Sequence, residues 1–128
     1  MRPTILVVDD DRSTLTGLAV LLANAEYRVL TADTYEAGRH ALETDCPDVL
    51  LVDIRLGAFN GLQLIAMSPR PIRSIVMTGY MDVALEREAR RFGAEYMVKP
   101  IVPDVLLATI QRQLQPQGGW PCGTEISN

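Results

Sequence analysis

The chain has 128 residues and a formal net charge of -4, and this length predicts one domain with a core that needs no disulfides or structural metals. With 48% hydrophobic and 22% charged residues, the composition is typical of a soluble globular protein and argues against a disordered or fibrous one. The negative charge argues against a nucleic-acid surface on this domain, because binding to phosphates requires an excess of Lys and Arg.

The N-terminal apolar run, Ile5 to Val8, is far too short for a signal peptide or a membrane span. We therefore expect a cytoplasmic protein without membrane contact. The two cysteines, Cys46 and Cys122, have no metal-binding or redox spacing, and we expect free thiols.

Five short apolar runs, each followed by a helical or turn segment, predict five βα units. They read TILVVD, YRVLTAD, DVLLVD, IRSIVMTG and EYMVKP. A near-continuous apolar run such as Val49 to Val52 is typical of a strand covered on both faces. The sequence therefore predicts an α/β fold with a parallel sheet between helices.

The segments between the strands predict amphipathic helices. The first begins between residues 11 and 13, the second opens on the capping pair Asp33 and Glu36, and the fifth has Pro103 at its first position. The segment from 61 to 69 is short, so the third helix or the loop after it must be truncated. Apolar positions predicted to face the core are Leu15, Leu18, Ala19, Leu22, Ala37, Ala41, Leu85, Ala89, Phe92, Val105, Leu106 and Ile110.

Polar residues stand where the apolar runs stop. Asp9 and Asp10 follow the first run, Asp53 the third, Thr78 the fourth and Lys99 the fifth. Ligands of open parallel sheets bind outside the carboxyl ends of the strands. Clustered carboxylates repel one another unless a cation neutralises them, and oxygen ligands suit Mg²⁺ beside a phosphate. The sequence therefore predicts a magnesium site at which Thr78 and Lys99 contact a phosphoryl group and one acid is the nucleophile.

The motifs LVVDDD, LLVDIRL, VMTG and YMVKP, in this order, resemble the receiver domain of two-component response regulators. The resemblance covers approximately residues 4 to 115. It implies a flavodoxin-like, doubly wound (βα)5 sheet with strand order 2-1-3-4-5. We assign residues 1–116 to the receiver domain and residues 117–128, which are rich in Pro and Gly, to a tail or the beginning of a linker.

The resemblance also implies a role for each site residue. Asp53 would accept a phosphoryl group from a sensor histidine kinase or phosphotransfer protein, and Lys99 and Pro100 would be joined by a cis peptide. The expected Mg²⁺ ligands are Asp9, Asp10, Asp53 and the backbone carbonyl of Arg55. Thr78 and Lys99 would bind the phosphoryl oxygens, and Thr78 and Tyr96 would form the switch. The domain would be a regulatory phosphoacceptor that assists its own phosphorylation and dephosphorylation, not an enzyme with a separate substrate.

Other interpretations remain open from the sequence. Acids at the start of a helix also serve as caps, and a receiver-like module could bind partners without phosphorylation. A phosphatase with an aspartyl nucleophile would need an acid two residues beyond Asp53, where Arg55 stands. A homodimer through the fourth helix, fifth strand and fifth helix, with Arg87, Arg90 and Arg91 on its face, is a further option.

The chain departs from the family pattern after the third strand, where Gly57 and Asn60 stand in place of the usual proline and aspartate. Gly57 and Gly61 are expected to serve turn geometry, and His40 is expected on the surface. Arg55 and Tyr80, each two residues beyond a site residue, are bulky enough to shield an acyl phosphate from water. We therefore expect a long-lived phosphoryl state.

Overall fold

The computed structural model describes residues 2–115, so the predictions for Cys122 and for residues 117–128 lie outside the described residues. The strands are β1 (Thr4–Val8), β2 (Arg28–Ala32), β3 (Val49–Asp53), β4 (Arg55–Leu56), β5 (Phe59–Asn60), β6 (Arg73–Thr78) and β7 (Glu95–Val98). The helices are α1 (Arg12–Asn24), α2 (Tyr35–Thr44), α3 (Gly61–Ala66), α4 (Val83–Arg91) and α5 (Pro103–Gln113).

Five of these strands form one sheet in the order β2-β1-β3-β6-β7, and every pair in it is parallel. Strands β4 and β5 form a separate antiparallel hairpin. Counted without the hairpin, the order is 2-1-3-4-5, so the predicted flavodoxin-like fold is confirmed.

The sheet separates two apolar clusters because alternate side chains of a strand point to opposite faces. Leu6 and Val8 of β1 belong to the cluster covered by α2, α3 and α4. Ile5 and Val7 belong to the cluster covered by α1 and α5. Central strands are thus buried on both sides, which explains why their sequences are continuously apolar.

The start of α1 agrees with the prediction, and the start of α2 does not. Asp11 caps α1, since its carboxylate accepts a hydrogen bond from the Ser13 backbone N–H at 3.1 Å. The cap of α2 is Thr34, not Asp33, because the Thr34 hydroxyl accepts from the Ala37 N–H at 3.0 Å. The Asp33 carboxylate instead lies 3.1 Å from the guanidinium of Arg12.

Three residues predicted to face the core are exposed, namely Ala37, Phe92 and Val105. On α2 the contact with the sheet is made beside Ala37 by Gly38, where a Cβ would meet Val8 and Leu64. Phe92 caps the end of α4 and is 41% exposed. On α5 the buried stripe consists of Leu106, Thr109 and Ile110, which leaves Val105 on the outer side. The predictions for these three residues are therefore wrong.

Of the remaining expectations for residues 2–115, three are confirmed and one is wrong. Pro103 occupies the first turn of α5, α3 has only six residues, and His40 is exposed, all as predicted. Cys46 is disulfide-bonded, so the prediction of a free thiol there is wrong. The spacing of the cysteines in the sequence carries no signal for this bond. Within residues 2–115, none of the helices combines the length and the apolar character that a membrane crossing requires.

Candidate functional site: an acidic cluster at the carboxyl edge of the sheet

Three carboxylates converge where two neighbouring strands end. Asp9 and Asp10 follow β1, and Asp53 is the last residue of β3, which pairs with β1 in parallel. Each of the three side chains has a carboxylate oxygen within 4.8 Å of the others. Asp9 is completely buried, Asp53 is 7% exposed and Asp10 is exposed. The structure therefore brings together, at the carboxyl edge of the sheet, the three acids that the sequence places at the ends of apolar runs.

Lys99 places a positive charge between two of these acids. Its Nζ lies 2.9 Å from Oδ2 of Asp9 and 3.0 Å from Oδ2 of Asp53. Lys99 follows β7, and its backbone N–H donates to the Thr78 carbonyl at 2.7 Å, which anchors it beside β6. The peptide between Lys99 and Pro100 is cis, as the resemblance implied.

The pKa values of this cluster record competing effects. Burial raises the pKa of Asp9 and outweighs the lowering by hydrogen bonds from the Asp11 N–H and from Lys99, and the charge of Asp53 adds to the rise. Burial by itself lowers the pKa of Lys99, but the hydrogen bonds to Asp9 and Asp53 outweigh it and the net pKa is raised. The ionised form of Asp9 is therefore destabilised, whereas the charged form of Lys99 is stabilised.

Backbone N–H groups hold the carboxylates in place. Asp9 accepts a hydrogen bond from Asp11 N at 2.9 Å, and Asp53 accepts one from Arg55 N at 3.2 Å. Asp10 accepts one from Gly57 N at 3.3 Å. Gly57 has a φ of +61°, which is the turn geometry predicted for it. Its bond to Asp10 was not predicted, because it depends on the fold of the hairpin β4–β5.

Thr78 and Tyr96 lie on the strands next to the cluster. The register aligns Met77 of β6 with Asp53, so Thr78 is one residue further at the same edge. The Thr78 hydroxyl is buried and donates to the Tyr80 carbonyl at 3.2 Å. The Tyr96 hydroxyl accepts from the Asp82 N–H at 3.1 Å, so this ring contacts the loop between β6 and α4 and not the acids.

The side chains of Arg55 and Tyr80 contact each other. Nη2 of Arg55 donates to the Tyr80 hydroxyl at 3.0 Å, and the guanidinium carbon lies 5.4 Å from the centre of the Tyr80 ring. Arg55 is the first residue of β4, two residues after Asp53, and Tyr80 lies in the loop after Thr78. The sequence suggested two separate bulky residues, whereas in the structure the two side chains are in contact.

The donor atoms fit a hard divalent cation. Three carboxylates in reach of one another, one of them exposed, offer oxygen ligands, which Mg²⁺ favours together with water. Described residues 2–115 contain no other group of three or more His, Cys, Asp or Glu side chains with this geometry.

Comparison with known proteins agrees with this geometry. The family model of the response regulator receiver domain matches residues 5–111. The transcriptional regulatory protein ZraR of Escherichia coli is 37% identical over 118 residues, covering 86% of this chain and 26% of ZraR. The acid tolerance regulatory protein ActR of Sinorhizobium medicae is 36% identical over 114 residues, covering 85% of this chain and 59% of ActR. The chain therefore spans less than two thirds of these relatives.

Solved structures support the same assignment. A CheY-like receiver domain from Methanospirillum hungatei has a TM-score of 0.81 and 29% identity, covering 89% of this chain and 94% of its own. A response regulator from Burkholderia pseudomallei, with a phosphorylated aspartic acid, calcium ion and citrate, has a TM-score of 0.74 and 26% identity, covering 88% of this chain and 73% of its own. This chain belongs to the response regulator receiver domains, a class of regulatory domains that work as phosphorylation-controlled signalling switches.

Proposed function

We propose that Asp53 accepts a phosphoryl group, in a Mg²⁺-dependent reaction, from the phosphohistidine of a sensor histidine kinase or phosphotransfer protein. The observation that carries the proposal is the position of Asp53, whose carboxylate lies within 4.8 Å of those of Asp9 and Asp10 and 3.0 Å from Nζ of Lys99. A strand-ending aspartate with only a structural role would not need three charged neighbours. The phosphorylated aspartic acid of the relative from Burkholderia pseudomallei supports the same chemistry.

The cation would be held by Asp10, Asp53 and the backbone carbonyl of Arg55, with Asp9 acting mainly through water. When bound, it supplies positive charge that offsets the repulsion between the acids and the incoming phosphoryl group. The Gly57 N–H donates to the Asp10 carboxylate and holds it in the cluster. Asp10 is thereby positioned without being buried.

The transfer itself exchanges one bond to phosphorus for another. An Oδ of Asp53 forms the new P–O bond, the P–N bond to the donor imidazole breaks, and the imidazole leaves with the electron pair. Lys99, already 3.0 Å from Asp53, offers its ammonium to the phosphoryl oxygens. Thr78 can turn its hydroxyl from the Tyr80 carbonyl to a phosphoryl oxygen.

This movement of Thr78 links the site to a partner surface. The same Tyr80 carbonyl is 3.4 Å from the Tyr96 hydroxyl, so the loop after β6 contacts both side chains. When Thr78 leaves this carbonyl, the loop is free to shift and the ring of Tyr96 can turn inward. The surface of α4, β7 and α5 would then differ between the two states, and a partner or a second copy can select one of them.

The domain would act in the cytoplasm, where the ATP that charges the kinase is present. We propose no direct contact with nucleic acid by this domain, because its net charge is -4. Light scattering with and without a phosphate mimic tests for a homodimer through α4, β7 and α5.

Incubation with acetyl phosphate and Mg²⁺, followed by intact-protein mass spectrometry, tests the proposed phosphorylation. We expect one added phosphoryl group on the wild type and none on Asp53→Asn. The matched control is Asp104→Asn, an exposed acid in the first turn of α5, and it should be labelled like the wild type. Labelling of Asp53→Asn at the wild-type level would refute the assignment of Asp53.

A further inference from the structure

A groove of about 770 Å³ lies at the amino ends of β6 and β7, at the opposite end of the sheet from the acidic cluster. It is bounded by the last turns of α3, α4 and α5. We call it the arginine groove, and its lining includes Ile65, Arg70, Phe92, Glu95, Arg112 and Gln113. The groove follows from the short third helix: six residues extend only about 9 Å, and the chain then returns to β6 through residues 67–72.

Two polar atoms of the arginine groove lack partners. Among the described residues, Nη1 of Arg70 and Oε1 of Gln113 are buried without a hydrogen bond. The Gln113 amide is oriented by its Nε2, which donates to the Ser74 carbonyl at 3.1 Å. Buried polar groups without partners cost free energy. A free donor and a free acceptor in one groove match a peptide backbone, which offers a C=O to Arg70 and an N–H to Gln113.

The walls of the groove are partly apolar and partly positively charged. Phe92 is 41% exposed and forms an apolar wall together with Ile65. Arg70 and Arg112 also line the groove, and Glu95 offsets one of them because it pairs with Arg112 at 2.9 Å. In a chain of net charge -4, this is a local positive region. It suits an extended peptide with an aromatic ring and a carboxylate.

We propose that residues 116–128 of this same chain occupy the arginine groove. Gln113 lines the groove, and the segment begins three residues later, so it is tethered at high effective concentration. Its sequence, PQGGWPCGTEISN, contains Trp120 for the apolar wall and Glu125 for the arginines. Its thirteen residues can extend about 40 Å. The proposal does not depend on the phosphorylation of Asp53.

Trp120 is the sole tryptophan of the chain, so its fluorescence reports on this segment directly. We measure emission and acrylamide quenching with and without a thiol reductant, because Cys46 is disulfide-bonded, and we expect the following results in both buffers. Relative to a synthetic peptide of residues 116–128, Trp120 in the chain should emit at shorter wavelength and be quenched less. Phe92→Ala and Arg70→Ala should each shift both values toward those of the peptide. Val20→Ala, at a 55% exposed site on α1 outside the groove, is the matched control and should change neither.

Three results would overturn the proposal. If Trp120 of the intact wild type emits at the wavelength of the free peptide, the segment does not occupy the groove, and a partner protein is then its occupant. A wavelength shift that appears only at high protein concentration would indicate a second copy. Unchanged emission in both groove variants would place Trp120 elsewhere. Circular dichroism verifies that the variants are folded, and Arg70→Ala, which lies in a loop, decides the outcome if Phe92→Ala unfolds.

Discussion

Replacing Gly61 with alanine tests how closely α3 approaches the phosphoacceptor strand. A Cβ at Gly61 would press on the backbone carbonyl of Asp53 and would meet Cγ2 of Val52 at 3.1 Å. Neither neighbour can withdraw easily, because Val52 is fully buried and both belong to a central strand. Overpacking costs about 1–3 kcal/mol, and alanine regains about 0.5–1 kcal/mol over glycine in a helix. Since the clash is with backbone, we expect a net loss of about 1–2 kcal/mol in the free energy of unfolding.

The loss should appear as a fall in Tm of roughly 4–8 °C in a thermal melt. Gly17 provides the matched control, because it lies inside α1 and a Cβ there would contact nothing within 4 Å. Gly17→Ala should therefore raise the stability by about 0.5–1 kcal/mol. Gly61→Ala should also slow labelling by acetyl phosphate, since the clash moves the backbone of Asp53, whereas Gly17→Ala should not. Equal stability and equal labelling rates in the two variants would refute this reasoning.

Three further predictions concern the charged groups. Because the pKa of Asp9 is raised in the folded state, the protein loses stability as the pH rises from 3.8 through that pKa. Asp9→Asn should therefore be more stable than the wild type near neutral pH, which urea unfolding measures. Calorimetry should show that the same variant binds Mg²⁺ more weakly. For Lys99 the raised pKa means that its contribution is complete below pH 10.5 and is lost above it. The wild type should thus lose more stability than Lys99→Met in alkaline urea titrations, and parallel curves would contradict this. Arg55→Ala and Tyr80→Ala should shorten the lifetime of the acyl phosphate, because each removes one partner of the contact between the two bulky residues that follow Asp53 and Thr78; unchanged or slower decay would exclude a shielding role.

Much of the fold followed from local features of the sequence. Apolar runs such as Val49 to Val52 marked the buried strands, and the ends of these runs located Asp9, Asp53 and Lys99 at one edge. This works because parallel strands place all their carboxyl ends together. The topology then converts positions far apart in the chain into neighbours in space.

What the sequence could not predict depends on contacts between elements. Thr34 and Asp33 are both good caps, and in the folded chain Thr34 caps α2 while Asp33 pairs with Arg12 of α1. Gly61 was expected to serve a turn, but it is needed where the backbone of Asp53 approaches closely. The contact between Arg55 and Tyr80 joins β4 and the loop after β6, which are adjacent only in the folded chain.

The charges of the cluster predict an order of binding at the site. Three carboxylates and Lys99 sum to a formal charge of -2, which a divalent cation would bring to zero. Converting the Asp53 carboxylate to an acyl phosphate adds negative charge again, since a phosphoryl group carries roughly -2. Without the cation, the incoming dianion therefore meets a cluster of like charge. Acetyl phosphate should not label Asp53 in the presence of a chelator, and excess Mg²⁺ should restore labelling. A labelling rate that is equal with and without chelator would show that Lys99 alone is enough to offset the repulsion.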